Sequence, residues 1–278
     1  MQVDLSALPP LRDVIRDHDL RAEKKLGQNF LLDLNLTDKI VRAAGDLTNI
    51  HAIEIGPGPG GLTRSLVSAN TASVTALEYD PRAIQALQGL VEASRGKLTL
   101  YHQDALTVDI VTYTSAPRAI IANLPYNIAT PLLVGWLRVI HNNPNDITSM
   151  TLMFQKEVAL RIAAQVGDKA YGRLAVLSQW LCDTKLKFDV PASAFKPAPK
   201  VTSSIIYLKT KILKDVQPAF ETVEKLTAMA FGGRRKMIRQ SLKPYRHLFE
   251  KLDLDETLRA ENLSPAQFIQ LALLVEKE

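Results

Sequence analysis

Four consecutive residues, Asn123-Leu124-Pro125-Tyr126, have side chains and carbonyls that could hold a flat ring bearing an amine. They follow the apolar run 119–122, which its composition predicts to be a buried strand. Open α/β sheets bind their ligands at the carboxyl ends of such strands. The side-chain carbonyl of Asn123 and the main-chain carbonyl of Leu124 can each accept one N–H of an exocyclic amine, and Tyr126 offers a ring face for stacking.

A pair of hydrogen-bond acceptors of this kind suits methylation of an adenine amino group. The lone pair of that amine is delocalised into the ring, and two accepted hydrogen bonds draw the nitrogen toward the tetrahedral geometry of a nucleophile. Pro125 has no N–H that could compete for the acceptors, and it holds Leu124 extended. The tetrapeptide also fits a simple strand followed by a proline turn, so the rest of the chain decides between the two interpretations.

A glycine-rich turn, Gly56-Pro57-Gly58-Pro59-Gly60-Gly61-Leu62-Thr63, connects a predicted strand at 51–55 to a helical pattern. Such a turn lets a ligand approach the backbone and the N–H groups of the following helix. It contains the pattern G-x-G-x-x-G, and Glu78 ends the next strand, where an acid can bind two ribose hydroxyls. NAD and S-adenosylmethionine both carry that ribose. The two prolines remove amide donors that a pyrophosphate needs, which favours a cofactor without phosphates.

Two other residues are candidates for the same site. Asp104 follows a predicted strand at 97–101, where its carboxylate could accept from the amino group of a cofactor's adenine; a turn cap is the alternative. Phe195 lies in the proline-rich loop 191–200, which could present its ring to the second face of a splayed-out base. A connector with a buried anchor is the alternative for Phe195.

The alternation of strands and helices predicts an α/β fold with a doubly wound parallel sheet, followed after the boundary 211–218 by helices alone. Strands are predicted at 51–55, 73–77, 97–101, 119–122, 149–154, 186–190 and 203–209. Helices are predicted at 8–20, 35–44, 81–93, 129–139, 155–164, 173–180, 219–230, 236–242, 254–261 and 265–275.

The 278-residue chain has a net charge of +5 and a pI near 9.2, which suits a polyanionic partner without requiring one. Cys182 is the single cysteine, so an intrachain disulfide and a multi-cysteine metal site are excluded. The segment 1–20 carries four aspartates and no continuous apolar core, and no apolar run is long enough to span a membrane. We therefore expect a cytoplasmic protein. The stretch 234–246 holds six Lys or Arg and no acid, which favours phosphate contact as much as a solvated helix face.

Together, these motifs resemble the bacterial KsgA-type small-subunit rRNA adenine dimethyltransferases, over nearly the whole chain. The resemblance is carried by Leu26-Gly27-Gln28-Asn29-Phe30-Leu31, Glu54-Ile55-Gly56-Pro57-Gly58-Pro59-Gly60-Gly61-Leu62-Thr63, Asn123-Leu124-Pro125-Tyr126, Phe195-Lys196-Pro197-Ala198-Pro199-Lys200-Val201 and Arg234-Arg235-Lys236. It implies a Rossmann-like methyltransferase domain at 1–212, in which 1–34 is an N-terminal segment with a loop covering the cofactor, and a helical RNA-binding domain at 213–278.

The resemblance also implies S-adenosyl-L-methionine as cofactor, no metal, and a 16S rRNA substrate. Two adjacent adenosines in a hairpin loop near the 3′ end of that RNA would each be methylated twice at N6 within the maturing small ribosomal subunit, by a monomeric enzyme. The implied cofactor-binding residues are Gln28, Asn29, Leu31, Gly56, Gly58, Glu78, Asp104, Ala105 and Asn123. The predicted catalytic residues are Asn123, Leu124, Tyr126 and Phe195, and the predicted RNA-binding residues are Arg234, Arg235, Lys236, Arg239 and Lys243.

Three other functions fit part of the pattern. A large-subunit rRNA adenine methyltransferase of the antibiotic-resistance type shares the glycine-rich turn and an equivalent of Asn123 to Tyr126, but the motif from Phe195 to Val201 is not expected there in this form. An NAD oxidoreductase leaves Asn123 to Tyr126 without a role. A non-catalytic ribosome assembly or RNA-binding factor of the same fold would depend on the basic helices alone.

Overall fold

The computed structural model describes residues 3–20 and 28–278, so the start of the first quoted motif, Leu26 and Gly27, lies outside the described residues. The strands are β1 (Phe30–Leu31), β2 (His51–Ile55), β3 (Ser73–Glu78), β4 (Leu98–His102), β5 (Arg118–Asn123), β6 (Ile147–Gln155), β7 (Cys182–Val190), β8 (Phe195–Lys196) and β9 (Ser203–Thr210). The helices are α1 (Leu11–Asp17), α2 (Leu34–Ala43), α3 (Gly61–Ser68), α4 (Pro81–Ala86), α5 (Gln88–Ala93), α6 (Tyr126–Asn142), α7 (Lys156–Ala163), α8 (Arg173–Leu181), α9 (Phe220–Phe231), α10 (Ile238–Ser241) and α11 (Pro265–Val275).

Seven strands form the central sheet in the order β4-β3-β2-β5-β6-β9-β7. The first five are parallel, while β9 runs antiparallel to both β6 and β7. One apolar core lies on each face of the sheet, as expected for strands that are buried on both sides. The predicted α/β, doubly wound architecture is confirmed, and the two antiparallel strands at one end are a detail that the prediction lacked.

The strand order puts the topological switch point of the sheet between β2 and β5. Ile53 pairs with Ile120, so the residues three positions later, Gly56 and Asn123, leave the sheet at the same level. Ile55 pairs with Leu77, which brings Glu78 beside the glycine-rich turn. The pairing of adjacent parallel strands therefore gathers the predicted site residues at one edge, at the position where such folds bind ligands.

Some predicted helices were wrong in extent or type. The region 81–93 forms two helices, α4 and α5, and the region 8–20 is helical only at Leu11–Asp17. The predicted helix at 254–261 is absent: the chain there contains a 3₁₀ turn at Ala260–Asn262, and Asp253 before it has a left-handed φ of 49°. Asp255 accepts hydrogen bonds from the main-chain N–H and the hydroxyl of Thr257, and this local bonding competes with a helical pattern.

The helices that follow residue 211 pack directly on the part of the chain that contains the sheet. Phe220 of α9 stacks on Trp180 of α8 with ring centroids 5.8 Å apart, and the hydroxyl of the buried Tyr171 donates to the main-chain oxygen of Leu263 at 3.0 Å. Phe220 and Phe268 belong to the same apolar core as α6 and α8. Within the described part of the chain, no helix is both long and apolar enough to cross a membrane.

Candidate active site

A cavity of about 300 Å³ opens at the carboxyl edge of β2, β3, β4 and β5. All the predicted cofactor-binding residues line it, together with three of the four predicted catalytic residues. These are Gln28, Asn29, Leu31, Gly56, Gly58, Glu78, Asp104, Ala105, Asn123, Leu124 and Tyr126. The fourth predicted catalytic residue, Phe195, is not part of the lining.

Asn123 is the last residue of β5, and its side chain is oriented by the early part of the chain. Its Nδ2 donates to the main-chain oxygen of Asn29 at 3.1 Å. The donor end of the amide is thereby held by the protein, and the carbonyl end is left to bind a ligand. Leu124 is 2 % exposed, and Pro125 after it has φ −57° and ψ 127°, an extended conformation that starts α6 without offering a main-chain donor.

Tyr126 is fixed at the first turn of α6. Its hydroxyl lies 2.6 Å from Oγ of Ser203 on β9, so the ring is tied at its far end to the antiparallel part of the sheet. Burial raises the pKa of Tyr126, and the Ser203 hydroxyl only partly opposes this. The phenol therefore stays neutral at physiological pH. A neutral ring held at both ends can serve as a stacking surface for a base.

Glu78 is held by three main-chain N–H groups. Its Oε2 accepts from Gly58 at 3.0 Å, and its Oε1 accepts from Tyr79 and Asp80, each at 2.8 Å. Burial raises the pKa of Glu78, while these three N–H groups favour its ionised form. The carboxylate is fixed in direction beside the glycine-rich turn.

Asp104 lies two residues beyond β4 and has the cap geometry that the alternative interpretation predicted. Its Oδ1 accepts from the main-chain N–H of Leu106 at 2.9 Å. The residue also lines the cavity, so the two interpretations do not exclude each other.

The early strand β1 lies across the glycine-rich turn. Leu31 pairs with Phe195 in the short sheet formed by β1 and β8, and its carbonyl oxygen comes within 2.6 Å of the position that a Cβ on Gly61 would occupy. On the other side of the cavity, Nε2 of Gln28 donates to Oδ2 of Asp80 at 3.1 Å. Residues 28–31 therefore connect the turn, Asp80 and Asn123.

The proposed stacking role of Phe195 does not fit the observed position of its ring. Phe195 is only 2 % exposed and packs within the apolar core on the side of α2 and α3. Its main chain pairs with Leu31, so the residue acts here as the buried anchor of the proline-rich loop. Burial of a large apolar ring is favourable, and this outweighs display of the ring to solvent.

The predicted RNA-binding residues divide into two groups. Arg234 donates to the main-chain oxygens of Lys169 and Tyr171, both at 3.0 Å, and thereby holds the loop before α10 against the loop before α8. Arg239 lies 3.7 Å from Glu256, whose charge partly compensates it. Arg234 is exposed nevertheless, as are the remaining residues, Arg235, Lys236 and Lys243.

Several residues of the cavity wall were not predicted from the sequence, among them Glu54, Asp80 and Tyr79. Glu54 was part of a quoted motif, but a glutamate inside an apolar strand gives no sign of which face it occupies. Tyr79 is 60 % exposed and directly follows Glu78. Its exposure depends on how the turn after β3 folds, which a strand pattern does not report.

The charges of the cavity wall are of one sign. Four carboxylic acids line it, and among its described lining residues there is no Lys, Arg or His. The acids are Glu54, Glu78, Asp80 and Asp104. No group of acids, histidines and cysteines in the described chain has a metal-binding arrangement. Such a wall repels phosphates and fits a ligand that carries positive charge, as the sulfonium and ammonium groups of S-adenosylmethionine do.

The comparisons with known proteins agree with this chemistry. Residues 19–277 match the family model described as ribosomal RNA adenine dimethylase. The chain belongs to this family. It is 50 % identical over 280 residues to a protein of Mesorhizobium japonicum named ribosomal RNA small subunit methyltransferase A, covering 97 % of this chain and 99 % of the relative. A protein of the same name from Paracoccus denitrificans is 50 % identical over 273 residues, covering 96 % of each chain.

Two solved structures share the architecture. A dimethyladenosine transferase from Plasmodium falciparum superposes with a TM-score of 0.74 at 27 % identity, covering 89 % of this chain and 98 % of the other. The 23S rRNA methyltransferase ErmE superposes with a TM-score of 0.67 at 25 % identity, covering 89 % of this chain and 100 % of the other. These findings confirm the predicted family and fold and the predicted activity of an S-adenosylmethionine-dependent rRNA adenine dimethyltransferase.

Proposed function

We propose that this enzyme transfers methyl groups from S-adenosylmethionine to N6 of two adjacent adenosines in a 3′-terminal hairpin loop of 16S rRNA, giving dimethyladenosines during small-subunit biogenesis. The observation that carries the chemistry is the orientation of Asn123, whose amide donor is bonded to Asn29. The choice of the small subunit is supported by the names of the relatives that are 50 % identical over nearly the full chain.

In the proposed mechanism, Oδ1 of Asn123 and the main-chain oxygen of Leu124 accept the two N–H groups of the target amine. Tyr126 supports one face of the base, which has left its stack. The cofactor supplies an activated methyl group on its sulfonium. Placement of the amine does most of the work, so no strong base is required. After the first methylation one N–H remains, and a single acceptor suffices for the second.

The remaining site assignments belong to the same proposal. Gln28, Asn29, Leu31, Gly56, Gly58, Glu78, Asp104, Ala105 and Asn123 hold the cofactor, with Glu78 beside the ribose and Asp104 beside the adenine. Exposed Arg235, Lys236 and Lys243 contact RNA phosphates. The catalytic domain spans 1–212 and the helical RNA-binding domain spans 213–278. The enzyme acts as a monomer on the assembling small subunit in the cytoplasm.

Labelled methyl transfer to under-methylated small ribosomal subunits, followed by nucleoside analysis, tests this function. We expect dimethyladenosine from the wild type and at least a 100-fold lower rate of methyl transfer from Asn123→Ala. The variant loses the acceptor Oδ1 and also Nδ2, whose hydrogen bond to Asn29 orients the amide. Asn142→Ala, an exposed change at the other end of α6, is the matched control and should retain full activity.

Two results would contradict the proposal. Transfer to large-subunit RNA alone would favour the resistance-type function, whose fold ErmE shares. Tight RNA binding without transfer to either subunit, together with subunit assembly that survives Asn123→Ala, would favour a non-catalytic assembly factor.

A further inference from the structure

Glu54 is an acid without an evident partner in the cavity wall. It lies on β2, two residues before Gly56, and is 2 % exposed. Its Oε2 is completely buried and makes no hydrogen bond among the described residues. A buried carboxylate that lacks a partner is strongly unfavourable, so such a group takes up a proton or binds a cation.

The groups that face Glu54 do not supply a positive charge. From β3 comes Glu78, whose negative charge opposes ionisation of Glu54. From α3 comes Thr63, a buried hydroxyl that favours the ionised form but makes no hydrogen bond of its own. Arg64 on that helix donates instead to the main-chain oxygen of Pro9 and does not line the cavity. The neighbouring strand β5 contributes apolar residues and the neutral amide of Asn123.

The early strand is also uncharged where it covers the turn, since it presents Phe30 and Leu31. Burial, reinforced by Glu78, raises the pKa of Glu54 to about 8. A positive charge brought into the cavity would be the first cation near this carboxyl group, and it would favour the ionised form.

We propose that Glu54 is the proton-linked anionic partner of the positively charged cofactor: it is a neutral acid in the protein alone and loses its proton to solvent when S-adenosylmethionine binds. The O–H bond of the carboxylic acid breaks, the proton passes to the buffer, and the carboxylate that forms compensates the positive charge of the ligand. Cofactor binding and proton release are therefore one coupled equilibrium. The inference rests on the cofactor assignment and is independent of which adenosine is methylated.

Calorimetric titration of the full chain with S-adenosylmethionine tests this directly. At pH 6.5 Glu54 is protonated in the protein alone, and the amine of the cofactor is protonated as well. Binding heats measured in phosphate and in imidazole, which differ in ionisation enthalpy, give the number of protons exchanged. We expect the wild type to release about one proton per bound cofactor and Glu54→Gln to release none.

Two further variants separate Glu54 from its acidic neighbours. Asp104→Asn changes another acid of the same wall and should retain the release. Glu78 is the rival source of the proton, because burial raises its pKa as well. Glu78→Gln should bind the cofactor more weakly but still release a proton from Glu54. Release that disappears in Glu78→Gln and persists in Glu54→Gln would overturn the proposal, as would binding by the wild type without release.

A second measurement needs no variant. The affinity of the wild type should rise about tenfold between pH 6 and pH 7, because well below the pKa of Glu54 each binding event must expel a proton. A flat profile would overturn the proposal while leaving the proposed function intact. Failure to bind S-adenosylmethionine at any pH would overturn both.

Discussion

At the scale of single residues, the contact between Asn123 and Asn29 determines which end of the amide faces the ligand. Asn123→Asp preserves size and acceptor oxygens but removes the N–H that bonds to the Asn29 carbonyl. Two oxygens would then face each other, at a cost of about 1–3 kcal/mol, so kcat should fall by about 5- to 150-fold at pH 7.5. Asn142→Asp, on the exposed end of α6, should have no such effect.

The pH profile of Asn123→Asp distinguishes orientation from simple damage. A protonated Asp regains a donor for the Asn29 carbonyl, so the deficit relative to wild type should shrink as the pH falls. Steady-state kcat measured from pH 8 to pH 5.5 would check this. A deficit that does not change over this range would mean that the hydrogen bond to Asn29 does not position the amide.

Asp80 makes a separate, pH-dependent contribution to stability. The Arg82 side chain, aided by Gln28, lowers the pKa of this carboxyl to about 2, against 3.8 in an unfolded chain. Because the folded pKa is the lower one, the stabilisation is fully present above about pH 5 and is lost as the pH falls from 3.8 toward 2. Between pH 5 and pH 3, the free energy of unfolding measured in urea should fall by about 1 kcal/mol more for the wild type than for Asp80→Asn. Equal losses in the two proteins would show that Asp80 is not stabilised by Arg82.

At the scale of elements, β1 can lie across the glycine-rich turn only because residue 61 has no side chain. A Cβ on Gly61 would lie 2.6 Å from the main-chain oxygen of Leu31, so Gly61→Ala must displace β1. We expect cofactor affinity to fall at least about tenfold, since Phe30 and Leu31 of β1 line the cavity and Asn29, directly before β1, bonds to Asn123. Gly89→Ala is the matched control.

Gly89 has the same helical setting but open space around it. A Cβ there meets nothing within 4 Å, so the alanine should leave affinity unchanged and should stabilise α5 by about 0.5–1 kcal/mol. Calorimetric affinity and thermal unfolding of both variants check the pair. Unchanged binding by Gly61→Ala would mean that the position of β1 is not needed for the cofactor.

The elements also show what the sequence can predict. The parallel strands and the residues at their carboxyl ends were predicted correctly, because apolar runs bounded by Gly, Asp or Asn give a strong local pattern. That pattern alone predicts Gly56, Glu78, Asp104 and Asn123 at one edge of the sheet. The pairing of β1 with β8 was not predicted, since each strand has two residues and they lie 165 positions apart.

Features that depend on three-dimensional context were the ones missed. Phe195 looked like a displayed ring because its loop is rich in Pro and Lys, yet the ring completes the core beneath β1. The hydrogen bonds from Arg234 to two main-chain oxygens of a distant loop were not predicted either, while its RNA-binding role stays a prediction. Neither the core around Phe195 nor the oxygens that bind Arg234 can be identified from the local sequence.

At the scale of the whole molecule, the basic stretch 234–246 has a structural part and a part facing solvent. Arg234→Ala removes hydrogen bonds that join the C-terminal helices to the loop before α8, and burial leaves the Tyr171 carbonyl with poor access to water. We expect thermal unfolding to shift down by several degrees, from a loss of about 1–3 kcal/mol. Arg235→Ala, an exposed neighbour, is the control and should leave the midpoint unchanged.

Lys236 belongs to the part facing solvent, and its effect should appear in RNA binding alone. If it contacts a phosphate, Lys236→Ala should reduce the slope of log affinity against log salt concentration by about one, with an unchanged unfolding midpoint. Arg42→Ala removes another exposed charge, from α2 in the N-terminal part of the chain, and controls for the loss of net charge. Binding of both variants to small subunits between 50 and 200 mM salt, about the range over which phosphate contacts weaken, provides the comparison. Equal slopes for the two variants would show that net charge, rather than a surface formed by the C-terminal helices, attracts the RNA.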